Sequence, residues 1–73
     1  MKLFTKSNCS TCLLVKEYLE MIQAKFDIVN IDTRIPADLI EAMNKPEFPE
    51  VFDYPILITE DKILFGKDIL NFH

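Results

Sequence analysis

Cys9 and Cys12 are the only cysteines in the chain, and they stand at C-x-x-C spacing within Ser7-Asn8-Cys9-Ser10-Thr11-Cys12. Before them lies a β-like run, Lys2-Leu3-Phe4-Thr5. After them Cys12, Val15, Leu19 and Ile22 recur at helical spacing. The pair therefore marks a strand-to-helix junction, with Cys9 at or just before the helix start. Unpaired N–H groups and the positive end of the helix dipole favour a thiolate there, which is what a redox cysteine needs. A bond between Cys9 and Cys12 would close only a tiny loop and constrain the unfolded chain little, so the pair reads as reactive rather than as a structural staple.

The rest of the chain limits what can surround this junction. Seventy-three residues predict a single domain, residues 1–73, with a modest core. A hydrophobic fraction of 49% argues against disorder. The longest apolar runs, such as Leu13-Leu14-Val15, are too short to span a bilayer, so no membrane partner is expected. Net charge is −4 and the basic residues are scattered, which disfavours nucleic-acid binding. Residues 1–6 show neither a signal-length apolar stretch nor a small-residue cleavage site, so the expected location is cytoplasmic. In that reducing compartment, disulfides are usually transient and catalytic.

Taken in order, residues 2–5 predict a first strand in the middle of a sheet, and residues 10–24 a first helix capped by Asn8, Cys9 or Ser10. Its buried stripe is expected to be Cys12, Val15, Tyr18, Leu19 and Ile22, with Leu13 exposed beside the cysteines. Residues 26–32 predict a second strand ending in the polar turn Asp32-Thr33-Arg34. Strand, helix and strand then form a parallel βαβ unit. Pro36 suits the first turn of a short second helix carried by Leu39, Ile40 and Met43 and stopped by Asn44-Lys45-Pro46. Residues 45–54 form a proline-punctuated loop expected to be pinned by Phe48, Val51 and Phe52. Residues 56–59 and 62–65 predict a hairpin around Glu60-Asp61, and residues 67–72 a last short helix. The order is βαβαββα, an α/β fold.

C-x-x-C at such a junction beside a βαβ pattern is the redox signature of thioredoxin-like folds. Together with Tyr54-Pro55-Ile56-Leu57-Ile58 before the third strand and Phe65-Gly66-Lys67-Asp68 after the last, it makes the chain resemble the glutaredoxin family. The resemblance extends to small glutaredoxin-like reductants of ribonucleotide reductase, and implies a four-stranded mixed sheet flanked by helices. It also implies a cis Tyr54-Pro55 bond close to the cysteines and a disulfide reductase needing no resident cofactor. Ser10-Thr11 stands where the family typically has Pro-Tyr, Asp53-Tyr54-Pro55 where it has Thr-Val-Pro, and Gly66-Lys67 where it usually has two glycines.

The expected chemistry is disulfide exchange with Cys9 as nucleophile and Cys12, one turn in, as resolving thiol. Lys6 is a candidate cation for the Cys9 thiolate, and Ser10 and Thr11 candidate hydrogen-bond donors to its sulfur. By resemblance, Tyr54 and Pro55 present backbone to an extended substrate, while Gly66, Lys67 and Asp68 belong to a glutathione-type site. The partners implied are a disulfide-containing protein, ribonucleotide reductase among them, and a reductant that is either glutathione as co-substrate or thioredoxin reductase. The protein is expected to act as a monomer. Two rival readings of the cysteines are a non-catalytic adaptor in which they only pack, and a metal or cluster shared between chains. A structural zinc within one chain lacks ligands, since His73 is the sole histidine and no second C-x-x-C exists, so no metal site is expected.

Overall fold

The computed structural model describes residues 1–72, and His73 lies outside the described residues. The elements follow the expected order: β1 (Lys2–Thr5), α1 (Ser10–Met21), β2 (Asp27–Asn30), α2 (Ala37–Met43), β3 (Ile56–Ile58), β4 (Ile63–Phe65) and a 3₁₀ segment, Gly66–Asn71. They form one four-stranded sheet of order β2-β1-β3-β4. β1 runs parallel to β2 and antiparallel to β3, and β3 and β4 are antiparallel. β1 is thus an inner strand, and its end delivers the cysteine pair to one edge of the sheet.

Alternation along the strands divides the core between two faces. Leu3 and Leu57 pack with Val15 and Leu19 of α1 and Ile69 of the 3₁₀ segment. Phe4 and Ile56 face the other way, onto Leu39 of α2 and the loop side chains Phe48 and Phe52. Each fully buried Leu, Ile or Phe contributes about 1.5–3 kcal/mol relative to exposure. A one-residue slip of β1 would exchange Leu3 and Phe4 between faces packed by different side chains, so packing on both sides fixes the register.

Several boundaries and faces differ from expectation. α1 stops at Met21 rather than near residue 24 because Gln23 enters the left-handed region at φ +59°. The Ala24 and Gln23 amides then donate to the Leu19 and Glu20 carbonyls, 3.0 and 3.1 Å, a Schellman closure made without glycine. Ile22 consequently sits at the helix end and is 37% exposed rather than core. β2 is shorter than residues 26–32: after the Ile31 amide bonds the Thr5 carbonyl, the Asp32 amide turns back to Asn30 Oδ1, 2.8 Å.

Pro36 is the cap residue of α2 rather than within it, and Ile40 is 46% exposed while Ala42 takes the buried position on the Leu39 face. In the loop, Phe48 and Phe52 pack as expected, but Val51 is 90% exposed. The last element is 3₁₀ rather than α-helical, and closes with the Phe72 amide on the Ile69 carbonyl. The β3–β4 turn lacks the favoured Asn-Gly, and Thr59 substitutes for it: its Oγ1 accepts from the Lys62 amide, 3.1 Å, and its own amide bonds the Lys62 carbonyl.

Candidate active site

The approach to the cysteines begins where β1 ends. Asn8 has φ +57°, a left-handed turn that Asn tolerates better than most residues. The chain then returns to extended geometry at Cys9, φ −118° and ψ 102°, which makes Cys9 the N-cap of α1. Of the three capping candidates the sulfur-bearing one takes the position, and the Cys12 amide donates to Cys9 Sγ, 3.1 Å. Cys12 itself is buried on the inner face of α1, whereas Cys9 is half-buried at its open end. Their sulfurs are joined as a disulfide, with the Cα atoms 5.2 Å apart, inside the normal disulfide range.

Across from Cys9 the Tyr54–Pro55 peptide bond is cis, and the Tyr54 carbonyl oxygen lies 4.0 Å from Cys9 Sγ. Between them opens a cleft of about 720 Å³. One wall is Lys6, Asn8, Cys9, Ser10 and Thr11, and the other combines residues 51–54 with Phe65, Gly66, Lys67 and Asp68. All the candidate binding residues line this cleft except Pro55, which is fully buried behind it. Pro55 acts there through backbone, its carbonyl receiving the Gly66 amide at 2.8 Å. Gly66 has φ +52°, and a Cβ on it would stand 3.0 Å from the Asp53 Cβ. Glycine is therefore required for the two loop ends to meet.

The electrostatic pattern differs in part from the sequence expectation. The Lys6 ammonium sits over the Tyr54 ring, 5.1 Å from its centroid, bridging the two walls as a cation–π contact. Ser10 and Thr11 line the cleft, but the hydrogen bond to Cys9 Sγ comes from the Cys12 amide and none comes from them among the described residues. Aromatic side chains support the far wall from below. Phe52 meets Phe48 edge-on at 5.1 Å and Tyr54 at 5.6 Å, and Phe48 meets Phe65 at 5.2 Å.

Val51 on the cleft and Asp32, which lies outside its lining, escaped the sequence reading. Val51 appeared there only as an anchor of the loop, yet it stands exposed on the cleft rim. Asp32 appeared only as part of a polar turn, yet its carboxylate receives the Ser7 amide, 2.9 and 3.1 Å to its two oxygens, and the Ser7 hydroxyl. These bonds hold the Asp32 carboxyl below the ordinary aspartate range, the Ser7 hydroxyl first and its amide second, with the Lys6 charge adding least. The signal for Asp32 is the β1–β2 register. Thr5 pairs with Asn30, and two positions further along each strand are Ser7 and Asp32.

Among the described residues, no three His, Cys, Asp or Glu side chains converge as a metal site. No helix among the described residues is long and apolar enough to cross a membrane. No curated protein and no solved structure matches the chain significantly. The glutaredoxin family model matches residues 1–53, which contain β1, the cysteine pair, α1, β2 and α2. Glutaredoxins are thiol–disulfide oxidoreductases that act on disulfide-containing substrates with glutathione-type reductants. With the four-stranded mixed sheet between its helices and a bonded C-x-x-C at the start of α1, this chain belongs to the glutaredoxin family.

Proposed function

We propose that the protein is a dithiol reductant of protein disulfides, with Cys9 as nucleophile and Cys12 as resolving thiol. One observation carries the assignment: Cys9 Sγ is open to the cleft and receives the Cys12 amide, while Cys12 is bonded to it from the buried side. The same amide, with the helix dipole behind it, favours a thiolate on Cys9 once the disulfide is reduced. Cys9 attacks one substrate sulfur, the mixed disulfide forms, and the departing substrate thiolate takes up a proton. Cys12 then loses its proton and attacks Cys9 Sγ. The intramolecular disulfide forms and the second substrate thiol leaves, so two electrons and two protons have passed to the substrate. The oxidised pair is the end point of that sequence, and an external reductant must reset it.

The Tyr54 carbonyl beside Cys9 Sγ suits backbone pairing with an extended polypeptide. Ribonucleotide reductase, whose reduction requires repeated dithiol turnover, is the target class favoured by the resemblance to its small glutaredoxin-like reductants. Glutathione is the weaker reductant in this reading. Lys67 brings a Cβ to the cleft where a second glycine would allow close approach, and Asp53 on the same wall opposes glutathione's carboxylates. Reduction of the oxidised protein by glutathione and by a thioredoxin reductase, compared under steady state, tests the assignment. Efficient turnover with the reductase and poor turnover with glutathione is the expected result. Saturation by glutathione at micromolar levels would return the protein to ordinary glutathione-dependent chemistry.

A further inference from the structure

We propose that Asp32 is a positioning residue for Cys9: its carboxylate, by receiving the amide and hydroxyl of Ser7, holds the turn that sets Cys9 at the N-cap of α1. The inference rests on the reading of Cys9 as the nucleophile and adds what holds that sulfur in place. Between the last paired residue of β1, Thr5, and the start of α1, Ser10, the chain must reverse through the left-handed Asn8. Sheet pairing has ended there, and helix bonding begins only with the Leu13 amide on the Cys9 carbonyl. Among the described residues, the bonds from Ser7 to Asp32 are the only hydrogen bonds that tie residues 6–8 to another part of the chain.

Asp32 is itself held. Its amide donates to Asn30 Oδ1, and the preceding Ile31 amide closes on the Thr5 carbonyl at 2.9 Å. The carboxylate thus prolongs the parallel β1–β2 register by two positions, with side-chain oxygens in place of a backbone carbonyl. Because both oxygens take part, the turn is fixed in orientation as well as position. A cysteine displaced from the cap loses the Cys12 amide, and with it the donor that favours its thiolate.

The position makes a prediction of unusual sign. A carboxylate near a thiolate acting only by its charge would raise the thiol pKa, so its removal would make Cys9 more reactive. Acting as a clamp, its removal makes Cys9 less reactive. The experiment follows iodoacetamide alkylation of Cys9 against pH in the C12S protein, alone and carrying Asp32→Ala or Asp32→Asn. D32A is expected to move the alkylation midpoint upward by about one pH unit, a roughly tenfold slower reaction at pH values below the midpoint of the C12S protein. D32N, which keeps a carbonyl oxygen for the Ser7 amide but no charge, recovers part of that loss.

Equal or faster alkylation in D32A overturns the clamp, and acceleration in both variants assigns Asp32 a purely electrostatic effect. If Cys9 of the folded C12S protein reacts no faster than in the urea-unfolded chain, the nucleophile reading fails and the clamp fails with it. Amide exchange by NMR on the unaltered protein gives a check that needs no variant. The Ser7 amide is expected to be more protected than that of Asn8, and equal exchange at the two would also overturn the clamp.

Discussion

The two walls of the cleft are built by different means. The cysteine wall is short-range: a left-handed residue, an N-cap and one helical turn place Cys9 and Cys12 within four positions of chain, with Asp32 as their outside support. The facing wall is long-range. Tyr54 reaches Cys9 across 45 positions, and it stands there because Phe52 meets it edge-on, itself backed by Phe48 and Phe65, and because Gly66 admits Asp53 at close approach. In the proposed function the wall made from local geometry carries the chemistry, since bond formation tolerates little displacement. In the same proposal the wall made from packing carries recognition, so a change in its shape should leave the cysteine chemistry intact. Val51, exposed on the rim of that wall beside the packed Phe52, is open to a bound substrate.

The division is tested most strongly at the cysteines themselves. Cys9→Ser is expected to abolish disulfide reduction, and Cys12→Ser to leave a protein that attacks once and remains as a mixed disulfide detectable by mass spectrometry. Equal alkylation rates for the two thiols near neutral pH would break the distinction between an open nucleophile and a buried partner.

A change on the facing wall should act through shape. Gly66→Ala forces a side chain into the left-handed region and against the Asp53 Cβ, at a cost of about 1–2 kcal/mol. Chemical denaturation reads that loss. Weaker use of protein substrates should accompany it, with the Cys9 alkylation profile unchanged. A shifted profile would mean that the walls are coupled rather than separate.

The smallest effect is expected far from both walls. Lys2 Nζ lies 2.6 Å from the Asp38 carboxylate, tying β1 to α2, but both side chains are well exposed and solvent screens them. Asp38→Asn should leave the thermal midpoint almost unmoved at neutral pH. The pair raises the Lys2 pKa, chiefly by their hydrogen bond, and the same bond lowers that of Asp38. The Asp38 contribution is therefore present above the unfolded aspartate value, about 3.9, and fades as pH falls through the lower folded value. The Lys2 contribution is present below the unfolded lysine value and fades as pH rises through the raised folded one. A stability loss in the variant that persists unchanged into strong acid would show that packing, not charge, is at stake.

The sequence by itself determined the order of elements, the inner position of β1 and the junction that holds the cysteines, because each follows from periodicity and spacing over a few residues. Cys12 and Leu19 repeat at helical intervals, and Gly66 and Pro55 punctuate the strands they flank. The exact faces were less legible. Ile22 and Ile40 are apolar and near the right phase, yet α1 ends early at Met21, before the left-handed Gln23, and α2 turns Ala42 inward in place of Ile40. Only the tertiary structure decided that Val51 stands free while Phe48 and Phe52 are packed, since all three are apolar residues of one loop. Only it decided that Asp32 supports Ser7, because nothing in two polar residues 25 positions apart signals their contact until the parallel register of β1 and β2 brings them side by side.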